Sequence, residues 1–343
     1  MALTISHKVG IRDILKYVVP LIVSVGLCWL LFHDIDFGAM IDIVRHECSY
    51  GWIVLCMCIA VLSHVFRAMR WGIQLRALGI DAPLYVLVYS IFGTYAVNLV
   101  FPRLGEVWRC GYIAGRQQAR FAPVFGSMVA DRLADTCTVG LIVVLTFILA
   151  APQLSRFLAG NSESYASLTH LLLSPWLWGA FAAALIVGWY LIVRSRFGAK
   201  IREALKELWR GFAVVLHMPG RGRWILLVFA VWACYFLQLY VTFYAFPFTR
   251  EVLAENGITA ALVTFVLSSI SMGVPSNGGI GPWQWAVMIA LGFYGVAREP
   301  AAAFANLVLG SNTLLIILLG LITFAGIALD RKHIKKINTN HNP

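Results

Sequence analysis

Apolar residues in this chain gather into long runs that recur from one end to the other. Such runs occupy 14–33, 50–66, 84–101, 124–150, 175–193, 224–247, 258–275 and 301–329, with a shorter one at 283–297. A stretch of about 18 or more residues with few charges is long enough to span a bilayer as a helix. The pattern therefore predicts an all-α polytopic membrane protein without a soluble domain of any size.

Composition agrees, since 60% of the residues are hydrophobic and 13% charged, against roughly 25% charge in water-soluble domains. Lys8, Arg12 and Lys16 precede the first run, and no small-x-small cleavage site follows before Phe32-His33-Asp34-Ile35-Asp36. This predicts a retained signal anchor. The net charge of +11 reports orientation in such a chain, not affinity for nucleic acid. Cys28, Cys56, Cys58, Cys137 and Cys234 sit inside apolar runs as small hydrophobes, and Cys48 is expected on the non-cytoplasmic side. With no CxxC pair, and with His33, His46 and His64 lacking ligand spacing, neither a disulfide framework nor a metal site is indicated. No cofactor fingerprint and no activated nucleophile stand out.

Charge also sets the topology. With the N-terminus inside, span one leaves Asp34, Asp36, Asp42, Arg45 and Glu47 outside, and span two returns Arg67, Arg70 and Arg76 to the cytoplasm. A full crossing by 84–101 would then put Arg103, Arg109, Arg116 and Arg120 outside, together with the eight Lys and Arg between Arg194 and Arg223. A re-entrant hairpin near 84–115, broken at Pro102-Arg103-Leu104-Gly105, avoids this. A second hairpin near 258–297, broken at Pro275-Ser276-Asn277-Gly278-Gly279-Ile280-Gly281-Pro282, enters from the other side. In this arrangement 22 Lys and Arg lie inside and four outside (Arg45, Arg156, Arg250, Arg298), with Arg132 in the membrane, as the positive-inside rule requires.

About six full spans plus two hairpins then fall into an inverted repeat. Residues 1–150 form the first half and 151–329 the second, and 330–343 form a basic cytoplasmic tail. Interrupted segments at matching positions of inverted halves point to a transporter's central site. Between the halves, Ile201, Leu205, Leu208, Trp209, Phe212, Val215 and Leu216 make one stripe of an interfacial helix over 199–216. The polar stretch 151–174 reads as an external loop.

Ionisable groups at membrane depth are costly and are functional candidates by default. One cluster, Asn98, Arg103, Glu106 and Arg109, surrounds the first break. Asp131, Arg132 and Asp135 form another, with both carboxylates on one helix face. These residues suit a polar cavity where guanidinium forks meet an anionic group, or a set of ion pairs that brace the bundle. Asn277, Gly278, Gly279, Gly281 and Gln284 line the second break, where exposed amides at a half-helix N-terminus would attract an anion. Arg67-Ala-Met-Arg70-Trp71 reads as an interfacial anchor, and Trp283 and Trp285 flank the second break.

At these positions the chain resembles the lysylphosphatidylglycerol synthase transmembrane-region family, also called flippase-like. Asn98 to Arg109 (NLVFPRLGEVWR) is similar to its Asn…Pro-x-x-Gly-Glu-x-x-Arg element. Asp131-Arg132-Leu133-Ala134-Asp135 resembles its Asp-Arg-x-x-Asp element, and Pro275-x-x-Gly-Gly-Ile-Gly its second-half glycine turn. The resemblance implies a prokaryotic inner-membrane protein that moves lipids or lipid-linked intermediates between leaflets. Some members carry a fused cytosolic aminoacyl-transferase domain; with 13 residues after Asp330, that activity is expected to be absent. Many members have Glu where this chain has Gln284, so Glu106, Asp131 and Asp135 are the acidic candidates.

The expected function is transbilayer movement of an anionic lipid, with membrane lipids as partners and no metal, cofactor or catalytic residue. A homo-oligomer or a separate lipid-modifying enzyme would be a further partner. The alternatives are a membrane-embedded enzyme acting on a lipid phosphate and a non-transporting partner subunit.

Overall fold

The computed structural model describes residues 36–160, 183, 218–274 and 276–340. The runs at 14–33 and 175–193 (residue 183 excepted) and the stretch 199–216 lie outside the described residues. Ten α-helices and no strand occur among the described residues. They are α1 (Phe37–Glu47), α2 (Tyr50–Ala77), α3 (Leu84–Val100), α4 (Leu104–Arg116), α5 (Phe121–Gly160), α6 (Arg221–Thr242), α7 (Pro247–Asn256), α8 (Ile258–Ser271), α9 (Pro282–Phe293) and α10 (Arg298–Asn340). The chain is an all-α membrane protein. Among the described residues, four stretches, Tyr50–Ala77, Phe121–Ala150, Arg221–Ala245 and Arg298–Asp330, are long and apolar enough to cross a bilayer. The pair α7 and α8, bent by 111° at Gly257, would make a fifth if counted as one span.

The described residues gather into two compact units, 36–128 with 222–340, and 129–160 with 183 and 218–221. In the first, α3 is the hub, packed against α2, α4 and α10. Small residues let these helices approach closely, as association within lipid requires. Gly93 lies under the Trp108 ring, and Gly320 lies against Ala96. The start of α2 is tied to the turn after α6 and to α7, because Ser49 N–H donates to the Ala245 carbonyl (2.7 Å) and Arg250 Nη2 donates to Ser49 Oγ (3.1 Å). In the second unit, α5 presents Leu141, Val144, Phe147 and Ile148 on its exposed face, as lipid-facing residues do.

Two expectations change. The segment 151–160, read as the start of a polar loop, continues α5 to Gly160. Leu154, Phe157 and Leu158 keep an i, i+3, i+4 apolar spacing through their polar neighbours. Likewise α2 runs to Ala77, well beyond its apolar run, because charged residues interrupted the run without interrupting the helix.

Candidate functional site

Helices α3 and α4 fold back on each other across a break of three residues. Arg103 turns the chain, with φ 62° and ψ 0° in the left-handed region, a conformation uncommon for a side chain other than glycine. Gly105 then sits so close to α3 that an added Cβ would fall 2.1 Å from the Thr94 carbonyl oxygen. Asn98 closes the turn. Its Oδ1 accepts from Gly105 N–H (2.8 Å), and its Nδ2 donates to Glu106 Oε2 (3.2 Å). The Asn…Gly-Glu pattern thus encodes a clasp between the two arms, and Glu106 projects half-buried beside it.

The second break follows a similar logic. Gly278, Gly279 and Gly281 have φ of 63°, 86° and 92°, values open to glycine at little cost. Several amides of this turn are bonded within it. Ile280 N–H donates to the Asn277 carbonyl, Trp283 N–H to the Gly279 carbonyl, and Gly281 N–H to Gln284 Oε1 (2.9 Å). Gln284 is buried, and its Nε2 makes a short hydrogen bond to Asn306 Oδ1 on α10. It therefore caps α9 and ties it to α10. Gln284→Ala should lower stability by about 1–2 kcal/mol through the lost cap and bond; Gln284→Glu keeps an acceptor for the Gly281 N–H but loses the donor to Asn306 and should also be destabilising, and thermal unfolding in detergent checks both. Trp283 is half-buried and Trp285 exposed.

The tips of the two hairpins meet. Arg103 Nη2 donates to the Gly273 carbonyl (3.0 Å), and a Cβ on Gly278 would lie 2.6 Å from Leu99 Cδ2. Asn98, Arg103, Glu106, Gly278 and Gly279 are thereby brought to one neighbourhood, with Gln284 capping the helix behind it.

The reading of Arg67, Arg70 and Trp71 as an interfacial anchor does not hold. Arg70 and Trp71 are fully enclosed and Arg67 is 3% exposed, because these residues lie on the packed face of α2. The Arg109 guanidinium, also 0% exposed, lies 4.5 Å from the centre of a Trp71 ring, and Arg67 lies 5.7 Å from the Tyr235 ring. Such stacking offsets part of the desolvation of a buried cation. Trp71 Nε1 donates to Ser127 Oγ (3.0 Å). Ser63, His64 and Gln74 continue the buried polar face of α2. The spacing 63, 67, 70, 74 is a helical period and is the signal by which this face could have been found.

On α5, Asp131 is completely buried and Asp135 nearly so. Arg132 Nη1 stands 3.8 Å from Asp135 Oδ2 one turn on, the i, i+3 relation expected from the sequence.

Comparison with known proteins accords with this architecture. The family model for the lysylphosphatidylglycerol synthase TM region matches residues 17–320. A UPF0104 membrane protein of Methanothermobacter thermautotrophicus is 24% identical over 274 residues, covering 74% of this chain and 78% of that protein. No solved structure matches. With the family model spanning most of its length, this chain belongs to the lysylphosphatidylglycerol synthase transmembrane-region family.

Proposed function

We propose that this protein moves an anionic lipid or lipid-linked intermediate across the prokaryotic cytoplasmic (inner) membrane, as a transporter and not as an enzyme. The observation that carries this reading is the meeting of two broken hairpins at Arg103 and Gly273. Their arms have 17, 13, 14 and 12 residues. At 1.5 Å per residue these rise roughly 18 to 25 Å, short of the roughly 30 Å hydrocarbon core. Irregular backbone is tolerated at membrane depth only where it is buried in protein or lines a watery cavity. Two such tips entering from opposite sides would provide a polar route to both leaflets, and rocking between them would expose one site alternately.

In this proposal the chain forms an inverted repeat with both termini cytoplasmic. Arg103 and Arg109 supply charge for a headgroup phosphate, Glu106 balances charge or carries protons, and Asp131, Arg132 and Asp135 on α5 are a separate candidate set. Membrane lipids are its partners, with a second copy or a separate lipid-modifying enzyme as further ones.

Transport is tested in proteoliposomes with a labelled anionic lipid, which should change leaflet chemically intact and more slowly in Gly279→Ala protein. Lipid that stays in its leaflet but returns with its phosphate cleaved or transferred would establish the enzyme reading instead. Topology is tested separately, in a cysteine-free background. Asp42→Cys should react with an impermeant external thiol reagent and Arg120→Cys should not; external labelling at 120 would overturn the re-entrant hairpin.

A further inference from the structure

Away from the hairpin tips, a cavity of about 310 Å³ opens between the last turns of α4 and the end of the apolar part of α10. It is lined by Gly111, Tyr112, Gly115, Arg116, Ile327 and Asp330. Its volume falls at the lower end of the range of small-molecule sites, roughly 300–1,000 Å³. Two glycines one turn apart create the space, since a Cβ on Gly111 or Gly115 would meet no atom within 4 Å. Arg116 and Asp330 stand in its wall as an ion pair at 3.0 Å, 24% and 36% exposed. Arg116 also reaches the Tyr85 hydroxyl at 3.3 Å. Both bonds leave from Nη2, so among the described residues Nε and Nη1 keep donors for a ligand, and Asp330 Oδ1 keeps an acceptor.

The charge pair decides what this cavity selects. A plain anion drawn to Arg116 would also face the Asp330 carboxylate, and a plain cation would face the guanidinium. A ligand with a phosphate and an ammonium a few ångströms apart complements both. The phosphate fits the guanidinium fork, with Tyr112 in the same wall, and the ammonium fits the carboxylate. Trp108, stacked on Tyr112 at 5.5 Å, adds an aromatic border of the kind enriched at membrane–water interfaces. The geometry points to a binding site for a zwitterionic aminophosphate group in this cleft. The site requires only equilibrium binding there and is independent of whether any lipid crosses the bilayer.

The test uses full-length protein in phosphatidylglycerol nanodiscs, titrated calorimetrically with dihexanoyl phosphatidylethanolamine, phosphoethanolamine and dihexanoyl phosphatidic acid. Wild-type protein should bind the phosphatidylethanolamine at least about tenfold more tightly than the phosphatidic acid. Arg116→Gln and Asp330→Asn should each lose about tenfold or more, as expected for a charge-assisted hydrogen bond. Because those two side chains also join α4 to α10, Gly115→Leu provides an independent arm: it fills open space, should leave the melting temperature near wild type, and should abolish binding. Phosphoethanolamine binding as tightly as the short-chain lipid assigns the site to a soluble aminophosphate, and binding of the lipid alone assigns it to a headgroup. Absence of binding to both, preference for phosphatidic acid with Asp330→Asn unaffected, or undiminished binding in folded Gly115→Leu protein would each overturn the proposal.

Discussion

Gly105→Ala is expected to disrupt the first hairpin, costing about 3 kcal/mol or more, the upper part of the range for forced overpacking. The added methyl would sit 2.1 Å from the Thr94 carbonyl oxygen and 2.7 Å from Asn98 Oδ1. The first of these is backbone in the middle of α3, so relief requires the two arms to separate. Separation would break the Asn98 clasp and carry Arg103 away from Gly273. Gly111→Ala, two turns further along α4, is the matched control. Its methyl meets nothing within 4 Å, and in a helix interior alanine is favoured over glycine by roughly 0.8–1 kcal/mol. Thermal unfolding of the two variants in the same detergent should therefore diverge in sign. Equal melting temperatures would mean that α3 and α4 do not pack at this distance.

The two breaks were legible because proline and glycine clusters interrupt apolar runs, and local chain chemistry determines where a helix ends. The expectation of a re-entrant arrangement rests on counting charges, a constraint imposed by the bilayer, and is left to the labelling experiment. Contacts distant in sequence were not legible. Arg103 and Gly273 are 170 positions apart and Arg116 and Asp330 are 214 apart, and no local pattern records which helix packs on which. Arg67 and Arg70 show the opposite difficulty. Their charge suggested water or headgroups, but tertiary packing turned that face of α2 inward. Gln284 is an intermediate case. Its position three residues after Gly281 marks a helix cap, a structural task that glutamine and glutamate can both perform, so its identity says little about proton chemistry.

Arg109 is expected to separate folding from transport. Its guanidinium is fully enclosed and stacked on Trp71. Arg109→Ala should remove the stack and leave a void, with a loss of about 3–5 kcal/mol, visible as poor expression and a depressed melting temperature. Arg109→Lys is the more informative change. It keeps a positive charge and an aliphatic stem of similar length but exchanges a planar fork for a compact ammonium. The lysine variant should remain folded, because charge is conserved and little volume is lost. If Arg109 receives a headgroup phosphate when the hairpins open, the bidentate geometry matters, and losing one of two charge-assisted bonds should slow transport about tenfold or more. Proteoliposomes reconstituted at equal protein density, with melting temperature measured on the same preparation, read both quantities. A folded lysine variant that moves the anionic lipid at the wild-type rate would show that the enclosed charge, and not the fork, is what the site requires. Arg109 would then belong to the wall of the bundle, leaving Arg103, exposed at the meeting of the two tips, as the first contact for an arriving headgroup.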